Sequence, residues 1–328
     1  MLKYFLKRLL WVIPVMIGVV IVVFTITYFT PGDPVMTILG SGYTPEKYAE
    51  MSHDFGLDKG YFGQLGTYFW GLLSKGSFGS SYLSKVPISM EIAKRFPLTL
   101  KVAILSTIIM VIVGIPLGII SATKQYSVLD TGLTSLALII SAIPGFVLAL
   151  LSLVLFAVKL KWLPTGGLDA GWKSWILPIG ANSLGGIAVL MRMTRTTMLE
   201  VIRQDYIRTA RSKGLKEGVI TRKHALRNCL IPVLTVVGGN LAMQLAGAII
   251  VETIFNIQGM GLYMLNAINS RDYPIINATV ILMAFIVCAM NLIIDMMYAV
   301  VDPRIKAQYA SPKKRAKEIA KLQKTEVA

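Results

Sequence analysis

The chain has 328 residues, 55% of them hydrophobic and only 15% charged, where an average soluble domain is roughly a quarter charged. Its net charge of +16 sits outside the apolar runs, which removes the nucleic-acid binder that such a charge would suggest. Three of those runs, residues 9–30, 98–121 and 134–158, reach the ~20 apolar residues that cross a bilayer, which excludes a soluble protein.

The opening MLKYFLKRLL puts basic residues ahead of an apolar run, as a signal peptide does. The run is about twice as long as a signal's apolar region, and no small-x-small cleavage site follows. It is therefore read as an uncleaved first span, 9–30. Residues 31–97 carry six Lys or Arg beside six acids and are Gly-rich, too short for a large domain. Short interfacial helices lying against the outer face are expected there, among them 61–73 with its aromatic stripe. This surface is expected to receive a binding protein that delivers substrate.

The second span is 98–121, the third 132–158 and the fourth, weaker and rich in Gly and Asn, 175–191. In the second, Gly114-x-x-x-Gly118 reads as a packing notch for another helix. Pro116 and Pro144 either kink their spans or are simply tolerated. The fifth span is 231–251 and the sixth 275–301. The fold class expected is an all-α polytopic membrane protein with six transmembrane helices.

Basic residues fix the orientation. The amino end, the turn at Lys124, the stretch 192–227 and the tail from Arg304 together hold 22 of the 33 Lys and Arg. By the positive-inside rule both termini and the loop 192–230 are cytoplasmic. The organisation is then 1–30, start and first span; 31–97, extracytoplasmic; 98–301, transmembrane core; 302–328, basic tail.

The stretch 192–227 alone has ten Lys or Arg against three acids, more than topology needs. Within it Met198, Ile202, Tyr206 and Ala210 recur every fourth residue, one face of a helix. Arg195, Arg203, Arg208 and Arg211 occupy other faces. Lys213 followed by Gly214 is a helix C-cap signature, a cation near the carbonyl end and then Gly for a left-handed residue. A second helical stretch, EGVITRKHALRNCL, is predicted to stop before Pro232, which opens the fifth span. Residue chemistry alone leaves two uses open: a basic loop on anionic headgroups or a docking knob for a soluble partner.

Other motifs are sparse. Cys229, Cys288, His53 and His224 are isolated and give neither a disulfide framework nor metal spacing. No G-x-x-x-x-G-K-[ST], H-E-x-x-H or G-x-S-x-G occurs, so the chain encodes no phosphate cradle and no hydrolase motif, and is not read as an enzyme. Within the spans Asn240 and Gln244 lie four apart, Glu252 follows, and Asn291 and Asp295 are again four apart. Such groups more often tie helices together than touch substrate.

With those residues in view, the sequence resembles the inner-membrane permease subunits of binding-protein-dependent ABC importers, closest to the dipeptide/oligopeptide branch. The family signature is a cytoplasmic Glu-Ala-Ala, three residues, Gly, and later Leu-Pro or Ile-Pro. Here Arg208, Thr209, Ala210, Gly214 and Ile231-Pro232 take those places, with Arg for the Glu and Thr for the first Ala. Loops of the peptide branch read DYIRTARAKGL…HALRNALIPVLT, nearly continuous with Asp205–Thr235 here. TPGDPV, GLDKGYFGQLGTYFWGLLSKGSFGSSY, VETIFNIQGMGLYMLNAINSRDYP and YAVVDPRIK also look like the family, so only the tail beyond Lys306 lacks support.

The resemblance implies a type I ABC importer permease fold in a bacterial inner membrane. It implies that Asp205, Tyr206, Arg208, Thr209, Ala210, Gly214, His224 and Pro232 form a loop docked in a cytosolic ATPase, carrying its closing motion to the spans. Asn240, Gln244, Glu252, Asn291 and Asp295 become candidate substrate-pathway residues. The chain itself would bind no cofactor, ATP and Mg being used by two ATPase subunits. Further partners would be a second homologous permease subunit, an extracytoplasmic substrate-binding protein and membrane lipid, with no nucleic acid. Peptide is the expected cargo, and nickel-chelate importers share the branch. From another class, a secondary transporter or channel would need ion-coupling carboxylates at mid-depth, where only Asp295 is available, and inverted repeats, which are not evident.

Overall fold

The computed structural model describes residues 2–40, 42–247 and 249–301; the basic tail lies outside them. Among the described residues the chain is helical, with one isolated antiparallel bridge between Ser80 and Pro87. Fourteen α-helices follow in order: α1 Leu2–Phe29, α2 Pro34–Leu39, α3 Pro45–Asp54, α4 Tyr61–Lys75, α5 Ile88–Thr123, α6 Val128–Ala142, α7 Gly145–Ser152, α8 Ile176–Ile202, α9 Asp205–Ser212, α10 Glu217–Val219, α11 Leu226–Gly247, α12 Ile249–Ile254, α13 Met260–Ser270 and α14 Tyr273–Val301. Leu153–Lys159 and Ile220–Ala225 are π-helical, and Gly171–Trp175 is a 3-10 turn.

Four helical stretches are long and apolar enough to span alone: Phe5–Phe29, Ile88–Thr123, Gly171–Ile202 and Tyr273–Met296. Six spans result only if two bent pairs count as one each. The third expected span, 132–158, is not straight. It breaks between α6 and α7 with a 101° turn. Pro144 forces Ile143 into an extended conformation (φ −86°, ψ 126°), which ends α6. The fifth bends by 51° between Glu217–Leu230 and Pro232–Leu245. Pro232 begins the second arm of this bent pair, as expected, but no separate helix ends before it, since α11 starts at Leu226 and runs through it, with neighbouring helices making up for the lost hydrogen bond. Pro97 likewise fails to stop α5, which starts ten residues earlier than expected, at Ile88.

The centre of the molecule is the α5–α8 pair. A Cβ on Gly118 would lie 2.6 Å from the Met191 carbonyl oxygen and from Thr194 Cβ, and one on Gly114 3.1 Å from Leu190 Cβ. The notch expected from the Gly-x-x-x-Gly spacing is thus filled by α8, with backbones in direct contact. At the periphery α1 packs on α14. Thr27 donates to Asn277 Oδ1 at 3.0 Å near one end, and Arg8 meets Asp295 at 2.8 Å near the other. Much of the remaining α1 surface is bare, Leu10 and Trp11 each 64% and Ile26 61% exposed, as suits a face turned to lipid.

Candidate functional site

The end of the molecule that carries α9 is built on one core. Met198 and Val201 of α8, Ile207 and Ala210 of α9, Ala225 and Cys229 are all buried in a single cluster. Of the every-fourth-residue stripe, Met198, Ile202 and Ala210 meet this core, but Tyr206 is 43% exposed and Ile207 takes its place, because the stripe does not run along one helix. The chain breaks at Arg203 and Gln204, whose extended backbone (ψ 150°) starts α9 afresh.

α9 ends in a Schellman motif. The Gly214 amide donates to the Arg211 carbonyl (2.9 Å), the Leu215 amide donates to the Ala210 carbonyl (3.4 Å), and Gly214 takes φ +73°. Arg211 bridges the turn to Glu217, Nε to Oε1 at 2.7 Å, which holds the Glu217 carboxyl below its ordinary range. Tyr206 accepts from Asn228 Nδ2 at 2.8 Å and so ties α9 to α11.

Ala210 faces inward at 6% exposure, so its small side chain seats α9 on this chain's own core rather than admitting a partner. The exposed face of the bend is instead Asp205, Arg208, Thr209, Ser212 and Lys213, with Leu215 40% exposed. His224 is half-buried in the π-helical turn.

A buried ion pair beside this bend went unnoticed in the sequence. Asp130, at the start of α6, takes a two-pronged contact from Arg195 of α8: Nε to Oδ1 at 2.7 Å and Nη2 to Oδ2 at 2.8 Å. Ser121 Oγ of α5 donates to Oδ1 as well, and the Tyr126 amide donates to Oδ2 at 3.0 Å. One carboxylate thus joins α5, α6 and α8. The available signal was a lone acid at the head of an apolar run, since a charge held there requires a partner.

The candidate pathway residues separate. Gln244 Oε1 accepts from Asn182 Nδ2 (2.9 Å), which also donates to Ser106 Oγ (3.2 Å), linking α11, α8 and α5. Asn240 donates to the Val236 carbonyl of its own helix (2.9 Å), and Asn291 is exposed. Glu252 is fully buried and does not line an open path. It accepts from Thr99 Oγ1 (2.5 Å) and from the amides of Gly261 (2.7 Å) and Leu262 (3.0 Å), a carboxylate at the positive end of α13. Asp295 pairs with Arg8 beside the first turns of α1, away from mid-depth.

At the end of the molecule opposite α9, α2, α3, α4 and the loop 76–87 roof the ends of α1 and α14 around a cavity of about 700 Å³. Aromatic residues line it, among them Phe24, Tyr48, Phe55, Tyr68 and Tyr82. Burial pushes the Tyr82 hydroxyl up to about 12, so it stays protonated. Among the described residues no group of three or more His, Cys, Asp and Glu could hold a metal ion.

Comparison with known proteins gives concordant results. A family model described as the inner membrane component of binding-protein-dependent transport systems matches residues 114–307, and a companion model for its N-terminal part matches 1–103. The dipeptide transport system permease protein DppB of Alkalihalophilus pseudofirmus is 40% identical over 333 residues, covering 93% of this chain and all of that protein. DppB of Escherichia coli (strain K12) is 37% identical over 337 residues, covering 93% of this chain and 99% of its own. Among solved structures, the MetNI methionine ABC transporter in inward-facing conformations aligns with a TM-score of 0.55 at 17% identity, over 65% of this chain and 97% of that one. At that identity the likeness concerns the fold.

Proposed function

The chain belongs to the inner membrane components of binding-protein-dependent transport systems, and from that premise we propose that it is the permease subunit of an ATP-driven peptide importer. It lies in the bacterial inner membrane as a multi-pass protein. The two dipeptide permeases above, similar over nearly their whole length, support the cargo class. The positive-inside pattern supports six spans with cytoplasmic termini and α9 on the cytoplasmic side.

The observation that carries the coupling role is the seat of α9. Its outer face offers Asp205, Arg208, Thr209, Ser212 and Lys213, while Ile207 and Ala210 are locked into the core shared with α8 and α11. A partner that grips the outer face therefore moves α8 and α11 with it. The Asp130–Arg195 contact extends that movement to α5 and α6. The abrupt Gly214 end keeps the lever short. The Ser106–Asn182–Gln244 chain lies between the helices so displaced and is the best-placed polar lining for a peptide backbone.

On this reading two ATPase subunits bind and hydrolyse Mg-ATP, a second permease completes the pathway, and an extracytoplasmic binding protein delivers cargo. This chain contributes positioning and motion and no bond chemistry. The test is uptake of a labelled dipeptide by proteoliposomes holding the full complex with its binding protein. Uptake requires ATP inside, and Arg208→Glu with Lys213→Glu abolishes it while the chain still folds. Solute movement by the purified chain down an ion gradient, with no ATPase present, overturns the proposal.

A further inference from the structure

The helix α4 has two apolar faces, and only one is used inside the protein. Tyr61 and Tyr68 pack on Phe24 of α1, each ring 5.9 Å from it, and the Tyr61 hydroxyl meets Thr25 Oγ1 at 2.7 Å. On the opposite side Phe62, Trp70 and Leu73 are 84%, 71% and 79% exposed. Fifteen residues make a rod of about 22 Å, short of the ~30 Å of hydrocarbon, so α4 cannot span. Gly60 before it and left-handed Gly76 after it turn the chain back at both ends.

Three observations say what covers the bare face. It is continuous with the lipid-turned face of α1: the 71%-exposed ring of Phe29 lies 6.1 Å from Tyr61, which lies 5.1 Å from Phe62. It carries no charge, since the one charged residue of α4 is Lys75 in its last turn. Lys59 and Lys75, both exposed, flank the helix at its two ends, where they reach headgroup phosphates while their stems stay on apolar surface. A docking face for a water-soluble protein would also have to stay wetted when that partner leaves, and three large apolar side chains with no interspersed charge do not suit that.

We infer that α4 lies in the plane of the outer leaflet, its Phe62–Trp70–Leu73 face sunk among phospholipid chains and Lys59 and Lys75 at the headgroups. The occupant is glycerophospholipid. This assignment depends on α1 being a span and, for the leaflet, on the orientation proposed above, and not on the cargo or the ATPase. It moves the aromatic stripe of residues 61–73 from partner docking to the membrane and leaves the binding protein the solvent side of α2 and α3.

The experiment places a spin label at Phe62→Cys, Leu73→Cys and, facing the cavity, Gln64→Cys, in a full chain with Cys229→Ala and Cys288→Ala, reconstituted in phospholipid vesicles with and without the rest of the complex. Collision with oxygen several-fold above collision with a water-soluble nickel chelate at 62 and 73, at a depth of ~5–10 Å, and not at 64, is the expected result. Chelate access at 62 and 73 overturns the inference, as does exclusion of both reagents, which would mean that a second copy or the binding protein covers the face. Because labelled variants can misfold, Trp70 provides a second readout in the otherwise native chain. Brominated phospholipid quenches emission that disappears in Trp70→Phe; if the quenchable emission is the same with and without Trp70, the inference fails.

Discussion

Replacing Gly214 separates backbone conformation from side-chain size. At φ +73° the residue is left-handed, and a Cβ built there meets nothing within 4 Å. Alanine therefore clashes with no neighbour and incurs only the left-handed backbone penalty, about 1–2 kcal/mol. At ~1.4 kcal/mol per tenfold change, the bend shown here should fall about 5- to 30-fold in population relative to open forms. Asparagine, although larger, enters this conformation more readily. Proline cannot reach a positive φ, and it deletes the amide that bonds Arg211 at 2.9 Å. If the bend transmits motion, ATP-driven uptake ranks Gly above Asn, Asn above Ala, and Pro near zero, with equal amounts of folded chain in the membrane. Uptake measured beside thermal denaturation of each variant decides the matter. An alanine variant outperforming asparagine, or a transporting proline variant, refutes the reasoning.

Asp130→Asn should lower the thermal midpoint markedly, because it strands Arg195. Such losses run ~3–5 kcal/mol, and the lower end applies because Arg195 is 22% exposed; an unchanged midpoint would remove the clamp from the account. Thr99→Val leaves both a Glu252 oxygen and the Met260 amide, now bonded at 2.8 Å, without their partner. At about 1–3 kcal/mol per buried orphan, hydrogen exchange at 260–262 should rise at least tenfold. Ala210→Arg should reduce the yield of folded chain, since the side chain points into the core; a well-folded variant defective only in uptake would show that Ala210 faces a partner. Gly118→Leu should separate α5 from α8 and lower the midpoint more than Gly132→Leu, where a Cβ meets nothing within 4 Å.

Some of this was legible in the residue string. Apolar length marked α1, α5 and α14 as spans, and Lys213-Gly214 marked a helix end because only a left-handed residue closes it. The small-residue spacing at Gly114 and Gly118 pointed to a close helix contact. What failed was the position of breaks. Pro97 and Pro232 lie inside helices, as the tolerated Pro116 does, while Pro144 ends one, and which outcome wins is set by neighbouring helices that no local window contains. The Met198–Ala210 period slips at the chain break at Arg203 and Gln204: Met198 and Ala210 face one core, but Ile207, not Tyr206, is buried between them. Asp130 with Arg195, and Arg8 with Asp295, are partners far apart in sequence, so Asp130 went unnoticed, Arg195 and Arg8 read as part of the basic surface, and Asp295 read as a candidate carboxylate.

The contact of α1 with α14, riveted near both ends by Thr27–Asn277 and Arg8–Asp295, joins the first and the last of the described helices. At ~5–20 residues per second, the leading helix waits tens of seconds on the ribosome's clock before its mate emerges. This seam therefore closes late, and a polypeptide cut short before Asn277 would leave its opening helix held by α4 alone on that side.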